Sequence, residues 1–157
     1  MKILTSLAAI GLASFGFASS AAAYRFSPTD VHFTASDSTG LSTPNASNVT
    51  CRLKLRGGVG HKGKEFKVKS AVFKGSDARC ATITASNLPW KAQPINATTA
   101  KLLGVALISP FGNCGDATSN MLVGMGGGSL SIDTFLNPGS CTFRATLSTT
   151  PALSIVP

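Results

Sequence analysis

Acidic residues are scarce in this chain. Only six of its 157 residues are Asp or Glu, and Glu65 is the lone glutamate. Asp30, Asp37, Asp77, Asp116 and Asp133 stand far apart, so the sequence shows no paired carboxylates for acid–base chemistry. Histidine is limited to His32 and His61, and no G-x-S-x-G occurs, which removes the usual base and nucleophile signatures. There is no C-x-x-C, and with two histidines the common zinc ligand sets are not expected. The chain is therefore expected to be non-enzymatic and to carry no cofactor or metal. A carboxylate pair assembled only in space would make it a small secreted hydrolase, the reading with least support.

Long apolar runs are also missing. A membrane span needs roughly 20 residues. The most apolar later stretch, residues 102–109 with Leu102, Leu103, Val105, Leu107 and Ile108, is too short. No transmembrane segment is expected in the mature chain. The run from Ile3 to Phe17 is broken by Ser6, Gly11 and Ser14, follows Lys2, and leads to Ala21-Ala22-Ala23. That order of charge, apolar stretch and small residues reads as a secretory signal peptide over residues 1–23, cleaved before Tyr24. The first cysteine is Cys51, so no lipid-bearing cysteine sits at the cut. Residues 24–157 then form one domain, long enough to bury about two-thirds of its unfolded surface.

No window of the mature chain keeps a helical period. Alternation of period two is present instead. Cys51, Leu53 and Leu55 alternate with Arg52, Lys54 and Arg56, and Cys141, Phe143, Ala145 and Leu147 alternate with Thr142, Arg144 and Thr146. Phe66, Val68 and Val72 are read as the inward set of another strand, and Leu130 and Ile132 of a further one. Turn signals separate them: Gly57-Gly58, Gly60 to Gly63, Gly126-Gly127-Gly128 and Asn137-Pro138-Gly139. Strands are expected near 31–35, 48–56, 64–74, 81–86, 95–99, 101–109, 119–125, 129–135, 141–148 and 152–156, with a polar loop over 36–48. The fold class is all-β: a single antiparallel β-sandwich, Ig-like or barrel-like, of about 8–10 short strands. Trp90, just after a turn, reads as a packing residue of the core or of a barrel end.

An even number of cysteines in an exported chain suggests two disulfides among Cys51, Cys80, Cys114 and Cys141. Three pairings are open. Loops of similar size favour Cys51–Cys80 with Cys114–Cys141.

Cations are uneven. Of 14 Lys and Arg, eight fall between residues 52 and 74: Arg52, Lys54, Arg56, Lys62, Lys64, Lys67, Lys69 and Lys74. If 48–56 and 64–74 form a hairpin, Arg52, Lys54, Arg56, Lys67 and Lys69 share one face. The plain reading is a solvated face or a lysine-guarded edge. The sharper one is attachment to anionic envelope lipid or polysaccharide through the positive field of those eight residues. Specific nucleic-acid binding is not expected, because Phe66 points to the core and alternation puts Phe73 on the opposite face, which leaves no stacking platform. Residues 102–157, by contrast, hold only Asp116, Asp133 and Arg144 as charged groups, so that half suits an apolar phase or self-association.

One motif misleads. Gly58-Val59-Gly60-His61-Lys62-Gly63-Lys64 matches G-x-x-x-x-G-K, but Glu65 stands where Ser or Thr would hold magnesium. The strand pattern Phe66-Lys67-Val68-Lys69 then follows instead of a helix. A glycine-rich hairpin turn accounts for every residue. N-x-[ST] triplets at Asn45, Asn48 and Asn96 are expected by chance in so Asn-, Ser- and Thr-rich a chain.

Several stretches resemble a known family. They are Phe33-Thr34-Ala35, Val49-Thr50-Cys51, and Ala71-Val72-Phe73-Lys74-Gly75 followed by Cys80. Ala85-Ser86-Asn87-Leu88-Pro89-Trp90, Cys114-Gly115, and Cys141 leading into Leu147-Ser148-Thr149-Thr150-Pro151-Ala152-Leu153-Ser154-Ile155-Val156-Pro157 continue the pattern. Together they resemble the alkane oxidation protein activator PraB family of small exported bacterial proteins, over nearly all of the mature chain. The resemblance implies a role in growth on long alkanes, through contact with or dispersal of hydrocarbon and not through oxidation. The basic first hairpin departs from the low charge of that family and points toward an anionic envelope. The expected function is thus that of an exported surface protein, secreted or at the cell surface with the periplasm as the other address. It would act at a hydrocarbon/water or envelope interface in a surface-active or adhesive role. The alternative is a subunit of a self-associating extracellular fibre or biofilm matrix, joined through the terminal strand Ala152 to Val156.

Overall fold

The computed structural model describes residues 23–157. The expected signal peptide, residues 1–23 with its cut before Tyr24, lies outside them except for Ala23. The strands are β1 (Arg25–Ser27), β2 (His32–Thr43), β3 (Ala46–Val59), β4 (Phe66–Lys74), β5 (Thr84–Ser86), β6 (Trp90–Pro94), β7 (Thr99–Leu103), β8 (Ala106–Ile108), β9 (Asn120–Gly126), β10 (Ser129–Leu136), β11 (Cys141–Thr150) and β12 (Ser154–Val156). A single 3-10 turn, Ala78–Thr82, separates β4 from β5.

The sheet closes on itself. Its order runs β3-β2-β11-β10-β9-β7-β6-β4, and β4 pairs back onto β3, every contact antiparallel. The result is an eight-stranded barrel, and this corrects the expected sandwich. Alternation is the same in both architectures. What decides between them is that β4 is paired along both edges within the ring, to β3 along Arg52–Val59 and to β6 through Phe66–Val68. Beyond Val68 the free edge of β4 takes β5 at Val72↔Thr84, and β8 adds outside β5.

Eight strands leave an interior that side chains fill. Here Phe33, Leu53, Leu55, Phe66, Val68, Trp90, Leu102, Val123, Leu130, Phe143 and Leu147 fill it, each at most 2 % exposed. Ala35, Ala92 and Ala100 sit among them as small partners for the large rings. Phe66 meets Phe33 edge-on at 5.2 Å, and Phe73 meets Phe143 at 6.4 Å. Trp90 is buried, and its Nε1 donates to the Ser86 carbonyl at 2.8 Å, which satisfies its one polar atom.

Several segments differ from the sequence expectation. Residues 36–48, expected as a polar loop, belong mostly to β2 and the start of β3. Thr39 and Thr43 hold inward positions there and are buried. The Thr39 hydroxyl donates to the Arg144 carbonyl at 2.8 Å, and the Thr43 hydroxyl to the Phe111 carbonyl at 3.1 Å. A satisfied threonine thus serves as a core residue, which a hydrophobicity pattern does not register. The expected strand 101–109 is two strands, β7 and β8, and 95–99 is mainly the turn between β6 and β7. Of the expected strand 81–86, Ala81 and Thr82 end the 3-10 turn and Thr84–Ser86 form β5.

A β-bulge changes the parity of β4. Arg56 faces Ser70 but Gly57 faces Val68, so Lys69 is the extra residue. Phe66 and Phe73 both therefore point inward, at 0 % and 4 % exposure, whereas Val72 points out at 42 %. This reverses the expected sides of Phe73 and Val72.

The two ends of the barrel are closed differently. At one end Cys51 is bonded to Cys80, tying the 3-10 turn to β3 just before its β4-paired part, and Cys114 to Cys141, tying the 109–115 segment to the start of β11. All four cysteines are used. At the other end β1 pairs with β12, the Phe26 N–H donates to the Gly63 carbonyl at 2.7 Å, and the Phe26 ring lies 4.8 Å from Phe66. The terminal strand is thus already paired, and its Leu153 and Ile155 are buried. Both facts count against strand exchange through it.

Two predictions concern this frame. A Cβ on Gly57 would run into the Lys67 carbonyl and lie 2.9 Å from the Phe33 ring, whereas one on Gly40 meets nothing within 4 Å. Gly57→Ala should destabilise by about 2–3 kcal/mol in urea unfolding, and Gly40→Ala by less than about 0.5 kcal/mol. Equal effects would refute a tight seam at Gly57. The second prediction concerns acid. The Asp77 carboxyl is held below its ordinary value by the Arg79 side chain and then by the Arg79 N–H. Asp116 is held low by the Thr118 hydroxyl and N–H, then by Ser119. A carboxylate depressed in the folded state stabilises above the unfolded-state value and loses that contribution as pH falls through the folded value. Stability should therefore drop on acidification below about pH 4, and Asp77→Asn/Asp116→Asn should flatten that drop. An acid limb identical in both proteins would contradict it.

Candidate functional site

The β3–β4 hairpin carries its cations outward because their neighbours fill the barrel. Leu53 and Leu55 face in, so Arg52, Lys54 and Arg56 face out, all exposed. On β4, Lys69 and Lys74 are exposed and Lys67 is half-buried, while Lys62 and Lys64 stand exposed in the turn. The register sets Arg52 opposite Lys74, Lys54 opposite Val72 and Arg56 opposite Ser70. Directly opposite outward residues have Cβ atoms about 4.5–5.5 Å apart, so Arg52 and Lys74 form a repulsive pair.

Acidic partners are few. Among the described residues three Lys/Arg ion pairs form, Lys67–Glu65 at 3.1 Å, Arg79–Asp77 at 2.6 Å and Arg144–Asp133 at 2.9 Å, and His61 Nδ1 is hydrogen-bonded to the Asp30 carboxyl at 2.9 Å. Of the eight expected contact residues, only Lys67 is neutralised in this way. Arg52, Lys54, Arg56, Ser70, Val72 and Lys74 line a cleft of about 300 Å³. Arg56 also borders a second cleft of about 430 Å³ with Thr34, Lys69 and Thr150, so the basic surface is continuous along the hairpin.

The near-miss phosphate motif is the turn between β3 and β4. Its Gly60 N–H donates to the Glu65 carbonyl at 3.1 Å, and its Gly63 N–H to the Gly60 carbonyl at 2.9 Å. His61 and Asp30 meet there on the surface, and His32 is exposed at the start of β2.

Sequence reasoning missed part of this face. Thr34, Ser36 and Ser38 of β2 lie in register with Arg56, Lys54 and Arg52. A hydroxyl row therefore runs beside the cation row. Thr34 lies in the expected strand 31–35 but Ser36 and Ser38 in the expected loop, and only strict Ser/Thr alternation at 34, 36 and 38 could have marked the row.

The molecule is thus a disulfide-braced antiparallel barrel with a filled interior and a cationic outer wall. The chain belongs to the alkane oxidation protein activator PraA/PraB-like family, whose model matches residues 1–157. No curated protein and no solved structure matches it. No helix among the described residues is long and apolar enough to cross a membrane.

Like charges facing each other across two strands should cost stability. Lys74→Gln should stabilise the fold at low salt by about 0.2–1 kcal/mol. The gain should disappear near about 0.5 M salt, where exposed charges are screened. A loss of stability at low salt would mean that Lys74 has an attractive partner.

Proposed function

We propose that this is an exported, non-enzymatic protein that works at an interface between hydrocarbon and the cell envelope. The observation that carries the reading is the division of the outer wall. Strand order sets β9 and β10 across the barrel from β3 and β4. The most exposed large apolar residues, Leu122 at 59 % and Phe135 at 56 %, lie on β9 and β10, and five cations without an ion pair, Arg52, Lys54, Arg56, Lys69 and Lys74, lie together on β3 and β4. An amphipathic wall of that kind suits adsorption with the apolar side on oil and the basic side on anionic material. Membership of an alkane oxidation activator family supports the apolar partner. Two disulfides support an oxidising address, outside the cell, at its surface or in the periplasm.

The test is pendant-drop tensiometry at a hexadecane–water interface, with an emulsification assay. Wild-type protein should lower the tension and hold an emulsion, and Leu122→Asp/Phe135→Asp should lose most of both while keeping its unfolding midpoint. A wild type inactive in both assays would end the proposal, and a fully active double variant would move the apolar contact away from β9 and β10.

A further inference from the structure

We infer that the outer face of β2, β3 and β4 binds a linear acidic polysaccharide that carries carboxylates along its length, as a polyuronate does. The inference rests on the basic wall being the envelope-facing side, and it names what that side recognises.

Three features point to a glycan. The first is linear spacing. Arg52, Lys54 and Arg56 repeat at every second residue of one strand, about 6.6 Å apart, and so span about 13 Å. A row of that length reads a chain of charges better than a single ion. Arg52 and Arg56 each offer a planar fork that matches a carboxylate in two-point fashion, and Lys54 between them offers a point charge.

The second is the hydroxyl row. Thr34, Ser36 and Ser38 sit in register with Arg56, Lys54 and Arg52, and the next strand continues it with Thr150 opposite Thr34 and Ser148 opposite Ser36. Each cation therefore has a neutral donor–acceptor at cross-strand distance. Sugar hydroxyls need such partners. The third is the cleft on the other side, about 300 Å³ in volume, where the exposed Val72 is flanked by Ser70 and Lys74. A pyranose ring presents an apolar C–H face that can lie on Val72 while its carboxylate reaches the cations.

The same surface suits other polyanions less well. A bilayer would favour large apolar side chains among the cations, to enter the headgroup region. Leu122 and Phe135 lie on strands across the barrel, and Val72 is the only large apolar side chain exposed within the cleft. A single-stranded nucleic acid would need exposed rings for stacking, but Phe66 and Phe73 are buried.

The experiment measures binding of the disulfide-bonded protein to immobilised sodium polygalacturonate. Parallel arms use neutral dextran, vesicles of equimolar phosphatidylcholine and phosphatidylglycerol, and oligothymidylate. Circular dichroism confirms that each variant is folded. Wild type should bind polygalacturonate in a salt-sensitive way, more tightly than it binds the other three. Arg52→Gln/Lys54→Gln/Arg56→Gln should weaken that binding about 10- to 100-fold. Ser36→Ala/Ser38→Ala should weaken it a few-fold without changing vesicle binding, and Lys101→Gln, on β7 and two strands from β4, should leave it unchanged. Binding to vesicles but not to polygalacturonate would overturn the glycan assignment and leave the envelope reading standing. Binding to neither would overturn both. Oligothymidylate bound as tightly as polygalacturonate, no loss in the serine variant, or an equal loss in the Lys101 control would each reduce the face to unspecific charge and refute the inference.

Discussion

Everything in this molecule depends on one pairing, the return of β4 onto β3. Without it the sheet is an open ribbon with one wet face, and the alternating apolar residues of its strands have no shared interior. With it, Phe33, Phe66, Leu53 and Phe143 meet inside one wall. The close approach at Gly57 and the bulge at Lys69 are the local devices that let the pairing close. The bulge also moves Phe73 inward and turns Val72 out. The irregularity that completes the core thus shapes the outer cleft.

Closure also explains where the charge must go. A barrel of this size has no room inside for an ammonium or guanidinium group without a partner. On β3 every cation alternates with a buried leucine or cysteine, so the row of three is forced outward and into line. With acids so few, nothing nearby cancels it. Stability alone would favour a mixed surface, and Arg52 facing Lys74 is a small standing cost. A repulsive pair that neutral residues would relieve is more readily understood as part of a binding face than as support for the fold.

The sequence exposed some layers of this structure and hid others. Period-two alternation made β3, β10 and β11 legible, because each buries apolar residues on one side only. The basic face was legible for the same reason, since its cations are the other half of that alternation. The part of β2 beyond Ala35 was hidden because Thr39 and Thr43 stand in for apolar residues once backbone carbonyls accept from their hydroxyls. The sides of Phe73 and Val72 were hidden because a bulge is set by a neighbouring strand. Barrel and sandwich share one pattern, and only long-range pairing separates them. Ser36 and Ser38 of the candidate site's hydroxyl row were lost with that part of β2, whereas its cations were not.

The two closed ends narrow what this fold can do. Small antiparallel barrels commonly act through their interior or their mouth. Here aromatic and aliphatic side chains occupy the interior, the β1–β12 ribbon and Phe26 cover one end, and the disulfide-tied segments brace the other. Activity is then left to the outer wall. That wall is polarised, with five unneutralised cations together on β3 and β4 and the two most exposed large apolar side chains, Leu122 and Phe135, on β9 and β10. A rigid body with a filled core holds those two faces at a fixed separation and in opposite directions. Bridging two unlike surfaces requires that geometry, and a flexible amphipathic peptide would turn both faces toward the same one.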